Sequence, residues 1–181
     1  MIPNYLKPYH ISLSNLVRLG RKHDGGYVID KRVINKTNTI ITCGLEAEWS
    51  FEKEFKKKNK GCNILAFDHT VNKKFWFDRF LKDFISLLLL KKIKIYQILE
   101  VFKYIEYLNF FKGTNKHYIK KIVSKKKSKN KEITLNEAIG NNKNILLKID
   151  IEGDEYKILN QVEKNFNKIN LVIIEFHDLE K

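Results

Sequence analysis

Four apolar runs in this chain each end on acidic side chains. The run 39–43 (TIITC) leads into Gly44, Glu46 and Glu48, and the run 62–67 (CNILAF) into Asp68 and His69. The run 144–150 (NILLKID) ends on Asp150 with Glu152 and Glu155 just beyond, and 171–176 (LVIIEF) brings Glu175, His177 and Asp178. The whole chain has a formal net charge of +14, so acid gathered at these points is unexpected and informative. Carboxylates repel phosphate, and a pyrophosphate needs a glycine-rich turn whose amides approach it. The segment GLEAEWS (44–50) offers one glycine and two glutamates, which disfavours NAD, FAD and ATP. A ligand with ribose hydroxyls, an amino group and a cationic centre, but no phosphate, suits acidic strand ends. S-adenosylmethionine has that chemistry, and Asp68 at the end of the second run is placed to accept its ribose hydroxyls.

The elements that would position these groups follow from the punctuation. Each apolar run reads as a buried strand, and 171–176 as a central one covered on both faces. Between the first two lies a predicted helix with Ser50 as its cap, Glu52 and Glu54 in its first turn, Phe51 and Phe55 on one face and Gly61 as its stop. Thr134 and Glu137 have the spacing of a capping box for a short helix that Gly140 ends. After IEGDE a further helix buries Ile158, Leu159, Val162 and Phe166. Strands alternating with helices predict an α/β fold with a doubly wound, mostly parallel sheet in a single domain over 1–181. In such sheets ligands lie beyond the carboxyl ends of the strands, near the point where strand order reverses.

The stretch 75–111 has no Gly or Pro and reads as one or two amphipathic helices, a helical insertion at about 72–112. Ile95, Ile98, Leu99, Phe102 and Ile105 recur at helical spacing. This insertion serves as a cover on the sheet, or as a lid or anionic-surface contact carrying Lys91, Lys92 and Lys94. The run KKKSKNK (125–131) reads as a charged mobile loop. Asp24, Gly25, Gly26 and Tyr27 form a turn.

At 181 residues, 43% of them hydrophobic and 12% aromatic, the chain can bury a core, which excludes wholesale disorder. Cys43 and Cys62 belong to no CxxC or Cys/His cluster, so neither a zinc module nor a disulfide scaffold is available. No apolar stretch reaches the roughly 18 residues of a membrane span, and MIPNYLKPYHISLSN lacks the pattern of a signal peptide, so a cytoplasmic location is expected. Arginine occurs only at 18, 21, 32 and 79, and bidentate phosphate and base recognition favours arginine over lysine. A specific nucleic-acid partner is therefore not expected. Gly153 falls three residues after Asp150, where a calcium EF-hand loop needs its glycine at five, so that motif is absent.

Five blocks, RLGRKHDGGYVI (18–29), CGLEAEWSFE (43–52), AFDHT (66–70), LLKIDIEGDEY (146–156) and VIIEFH (172–177), occur in the order found in the FkbM family of S-adenosylmethionine-dependent methyltransferases, which the chain resembles over roughly half its length. IDIEGDEY is the most specific block. The resemblance implies a Rossmann-like class I methyltransferase fold, S-adenosylmethionine as cofactor, and O-methylation of a sugar or other hydroxyl-bearing small molecule. That fold has seven strands; here the sequence stops five residues after Phe176, so the last helix and the closing hairpin are expected to be missing, as in a C-terminally truncated domain, which leaves the fifth strand as an exposed edge. The resemblance also brings the Gly25–Gly26–Tyr27 turn near the site.

On this reading Gly44 lets the backbone pass close to the cofactor, and Glu46 or Glu48 meets its amino-acid end. Asp150, near the methyl position, and Glu152 bind acceptor hydroxyls or a divalent metal, Glu175 lines the acceptor side, and His177 takes the acceptor's proton, so that Asp150 and His177 are the catalytic candidates. His10, His23, His69 and His117 have surface or packing roles. Two other classes stay open: a metal- or nucleotide-using enzyme on the same sheet, and a non-catalytic binding remnant.

Overall fold

β-Branched and aliphatic runs bounded by glycine or acid form the strands, and the sequence periodicity sets which face each residue covers. The computed structural model describes residues 11–22, 25–88 and 95–177. His10, His23, Asp24, Lys91, Lys92, Lys94 and Asp178 lie outside them, as do the side chains of Ile95, Ile98 and Leu99.

An antiparallel pair, β1 (Leu16–Leu19) and β2 (Tyr27–Asp30), precedes β3 (Thr39–Cys43), α1 (Ser50–Lys58) and β4 (Asn63–Phe67). Two long helices, α2 (Lys73–Leu88) and α3 (Ile95–Phe110), lead to β5 (Asn115–Tyr118). A two-stranded parallel ribbon, β6 (Lys121–Val123) with β7 (Glu132–Thr134), comes before α4 (Leu135–Ile139). The chain then forms β8 (Ile145–Ile149), α5 (Glu155–Glu163) and β9 (Ile169–Ile174). The five strands of the central sheet run in the order β5-β4-β3-β8-β9, and every pairing is parallel. This is the predicted α/β, Rossmann-like arrangement. From β3 the chain steps outward to β4 and β5, then returns to the other side of β3 for β8, so strand order reverses between β3 and β8.

Both faces of the central strands are covered, as parallel sheets require. Ile41 and Cys43 with Ile145, Leu147 and Ile149 pack against Leu135 and Ile139 of α4 and Ile158 and Val162 of α5. Ile40, Ile64 and Leu146 face the other way, onto Phe51 and Phe55 of α1 and Leu19 and Ile29 of the β1–β2 pair. The capping box at Thr134 and Glu137 forms as predicted.

Several expectations need correction. Trp49, not Ser50, is the cap residue of α1, and the Glu48 carboxylate accepts from the Ser50 amide at 2.8 Å, which satisfies a free donor of the first turn. Glu52 stands in the first turn as expected and is fully buried, whereas Glu54 lies beyond that turn. In α5 the buried partners of Ile158 and Val162 are Glu155 and Gln161, whereas Leu159 and Phe166 are exposed. Among the described residues β9 is the exposed edge expected of a sheet without the closing strands, and its residues are half-buried rather than covered on both faces, because only β8 pairs with it. Phe102 and Ile105 lie on the exposed side of α3, and the insertion packs instead through Trp76, Tyr107, Phe110 and Phe111 around Trp49. The lysine run 125–131 is partly pinned: Glu132 accepts from the amides of Lys127 at 2.5 Å and Ser128 at 2.8 Å.

Candidate active site

At the reversal point the ladder continues past the strand ends and fixes the chain there. The Gly44 amide donates to the Phe67 carbonyl at 2.9 Å, the Asp150 amide to Cys43 at 2.8 Å and the Glu175 amide to Ile149 at 3.0 Å. Gly44 has φ +84°, and a Cβ built on it would lie 1.6 Å from the Asp150 carbonyl oxygen. Only glycine permits β3 and β8 to end this close together. The next turn is strained as well: Glu46 and Ala47 both have positive φ, 46° and 57°.

Asp68 holds that turn. Its Oδ2 accepts from the Leu45 amide at 2.8 Å and the Glu46 amide at 2.9 Å, and its Oδ1 from the Thr70 amide and hydroxyl, both at 2.6 Å. Burial alone pushes this carboxyl up, but the four hydrogen bonds outweigh it and hold Asp68 below its ordinary value. His117 braces the same point from behind, its Nε2 3.0 Å from the Asp68 carbonyl and its Nδ1 2.7 Å from the Tyr107 hydroxyl. It is a packing histidine, as expected.

These strand ends enclose an open cleft whose empty space, mouth included, is about 490 Å³. Gly44, Glu46, Asp68, Asp150 and Glu152 line it, with Phe67, Ile122 and Ile151 as apolar wall and Lys120 and Lys121 on one rim. Of the residues singled out from sequence, His69 lines it too. Glu48 does not: its carboxylate turns to Arg21 at 2.8 Å and Lys103 at 3.6 Å.

Behind Asp150 the acidic cluster closes on His177. Its Nε2 lies 3.8 Å from Asp150 Oδ1 and 3.8 Å from Glu152 Oε2, and its Nδ1 lies 3.1 Å from Glu155 Oε1. Glu155 is fully buried and also accepts from the Ile151 and Gly153 amides, both at 3.0 Å. It therefore fixes both the acidic turn and the imidazole, leaving Nε2 toward Asp150 and Glu152, while His177 itself does not line the cleft. The hydrogen bond to Glu155, aided by the charges of Glu152, Glu155 and Asp150, raises the His177 pKa and outweighs the opposing effect of burial. Asp150, Glu152 and His177 offer ligand atoms within 4.8 Å of one another, a donor set that would suit a divalent cation.

The sequence reading left out Tyr27, Lys148 and Glu155 as working residues. The Tyr27 hydroxyl lies 3.1 Å from Glu175 Oε2 and 3.4 Å from Asp150 Oδ2. Burial first, then these carboxylates, raise its pKa so far that it stays a donor. Beneath its ring is the Lys148 ammonium, 5.1 Å from the centroid and 3.8 Å from Glu52, itself bonded by the Thr42 hydroxyl at 2.7 Å. A lysine inside an otherwise apolar strand, two residues before Asp150, was the available signal for this network.

A family model described as the methyltransferase FkbM domain matches residues 43–181. The chain belongs to the FkbM methyltransferase family. Among curated proteins and among solved structures, none matches it. The match takes in every cleft-lining residue of this FkbM domain, and Tyr27 on β2 lies before it.

Proposed function

We propose that this FkbM domain binds S-adenosylmethionine in the cleft and transfers its methyl group to a hydroxyl of a sugar or other small molecule. The observation that carries this reading is the meeting of Gly44, Asp68 and Asp150 at the reversal of strand order, with acid and no glycine-rich phosphate cradle.

The residues present fit that cofactor. Asp68 Oδ2 stays on the two backbone amides of Leu45, which is buried, and Glu46, whereas Oδ1 is held in part by the hydroxyl of exposed Thr70, so Oδ1 is the oxygen that exchanges its Thr70 hydroxyl for ribose hydroxyls. Gly44 lines the floor, its missing side chain taken up by the close approach of Asp150, and Glu46 lies on the wall for an amino group. When bound, S-adenosylmethionine supplies an electrophilic methyl carbon on a sulfonium. The chain's own task is then to align an acceptor oxygen and remove its proton. Asp150 accepts a hydrogen bond from the acceptor hydroxyl, oriented by Tyr27 from one side and the Glu175 carboxylate behind it. His177, whose tautomer Glu155 fixes, takes the proton at Nε2. Glu152, exposed at the rim, binds a further hydroxyl.

Thermal melting tests the reading without knowledge of the acceptor. Ligand at a hundredfold excess over its dissociation constant adds about 2.7 kcal/mol, which for a chain this size raises melting by roughly 5 to 10 °C. The shift is expected with S-adenosylmethionine and lost in Asp68→Ala that remains folded. A shift with NAD or ATP in its place overturns the assignment. Once an acceptor is in hand, turnover that survives a chelator removes the cation from the Asp150–Glu152–His177 cluster.

A further inference from the structure

The α2–α3 pair shows two unlike sides. Phe75 and Trp76 on α2 and Tyr107 and Phe110 on α3 turn inward, with Trp49 in edge contact with Trp76 at 6.4 Å and with Tyr107 at 5.8 Å. This cluster anchors the pair to the body. Outward stand Phe77, Phe80 and Leu81 on α2, exposed by 64%, 55% and 43%, and Phe102, Ile105 and Leu108 on α3, exposed by 57%, 54% and 51%. A single exposed large apolar residue needs no explanation; six on one helix pair do. They repeat at helical spacing, so each helix is amphipathic twice over, with one apolar side spent on the body and one left outside.

We infer that this outer side docks on an anionic lipid surface. Charge selects that occupant. Residues 73–112 contain nine Lys or Arg against four Asp or Glu, and Lys73, Lys74 and Lys82 are exposed on the same helix as Phe77 and Phe80. Phenylalanine and leucine beside lysines on a helix too short and charged to cross a bilayer is the composition of an interfacial helix. No helix among the described residues is long and apolar enough to cross a membrane. A second copy is a poor occupant, because each copy brings fourteen excess positive charges that repel. An anionic leaflet attracts the same charges. The pair also connects β4 to β5, the edge strand opposite β9, so a partner pairing with β9 would not cover it. Since α2 begins just after Asp68, His69 and Thr70 of the cleft, docking brings the cleft to acceptors held at a membrane.

Co-sedimentation of the full chain with phosphatidylcholine vesicles, with and without phosphatidylserine, tests this. Binding is expected to the anionic vesicles alone and to fall in about 0.5 M salt, where the Debye length is only a few ångströms. The variant F77S/F80S/F102S/I105S is expected to bind about tenfold or more weakly while melting as wild type does. Reversing Lys73, Lys74 and Lys82 to Glu weakens binding through charge alone. Three results overturn the proposal: no vesicle binding by wild type; binding that the apolar variant retains, which points to the lysines of 125–131; or light scattering that shows a dimer which the apolar variant dissolves. Each leaves the cofactor-induced melting shift untouched, so docking fails or stands apart from the methyl-transfer reading.

Discussion

Burial presses the His117 imidazole below its ordinary value of 6.5, against smaller opposing effects from the carbonyl and charge of Asp68. A base whose folded pKa is lowered binds fewer protons folded than unfolded, so its stabilisation is present above about 6.5 and is lost as pH falls through the folded value. Melting of the wild type is therefore expected to fall more steeply between pH 7 and pH 5 than melting of His117→Gln, and equal slopes would remove His117 from the account. Burial likewise pushes Cys43 up to about 12 and Cys62 up to about 11. Neither thiol is expected to react with a disulfide reagent at neutral pH until the chain unfolds; prompt labelling would contradict the burial. At this scale the sequence revealed Asp68, Asp150 and Glu152, since a carboxylate at a strand end is visible as a residue type in a position. It did not reveal Glu155 or the true direction of Glu48. Both are acids near a helix start, and only the packing decides that one is buried under His177 while the other turns to Arg21.

Elements fix where those residues meet. The four apolar runs became strands within two residues of their expected bounds, because continuous β-branched and aliphatic runs have few other uses in a sheet covered on both sides. Strands β1, β2, β5, β6 and β7 are three or four residues of mixed polarity, and their pairing comes from contact across the chain rather than from any local pattern. The junction of β3 with β8 yields a sharp test. Gly44→Ala places a methyl group against the Asp150 carbonyl and forces an alanine to positive φ, so a loss of about 2 to 4 kcal/mol is expected. Urea unfolding measures it, and a variant as stable as wild type would mean that the strand ends move apart freely. Beside the apolar packing of Leu146 on Phe51 and Phe55, an ion pair links β8 to α1. Lys148 is 4% exposed and Glu52 fully buried, with one Glu52 oxygen lacking any hydrogen-bond partner. Lys148→Met strands that carboxylate and is expected to cost about 3 to 5 kcal/mol, whereas adding Glu52→Gln removes the uncompensated charge and recovers part of it. A double variant no better than the single one would show that the pair is not coupled.

The whole molecule separates its charges. Acid gathers at the carboxyl edge of the sheet, while lysine covers much of the remaining surface and leaves a net +14. That the sheet is parallel and doubly wound, with its cleft beyond the carboxyl ends of the strands, was legible from the alternation of runs and helices, whereas the strand order was not, because no local pattern says which strands pair. Which side of α2 and α3 packs was not, since both carry apolar residues on two sides and only contact with Trp49 distinguishes them. The excess charge has a measurable cost. Contact pairs such as Lys53–Glu106 at 2.5 Å and Lys121–Asp154 at 2.9 Å lie well inside the Debye length of about 8 Å and are screened little. Repulsion among the excess lysines acts over the whole surface, beyond contact distance, and is screened as salt rises. Added salt thus relieves more repulsion than it removes attraction, and melting is expected to rise by about a few degrees from low to physiological ionic strength. Calorimetry at several sodium chloride concentrations checks the sign. A melting point that falls with salt would mean that the local ion pairs, not the excess lysines, dominate the electrostatics of the fold.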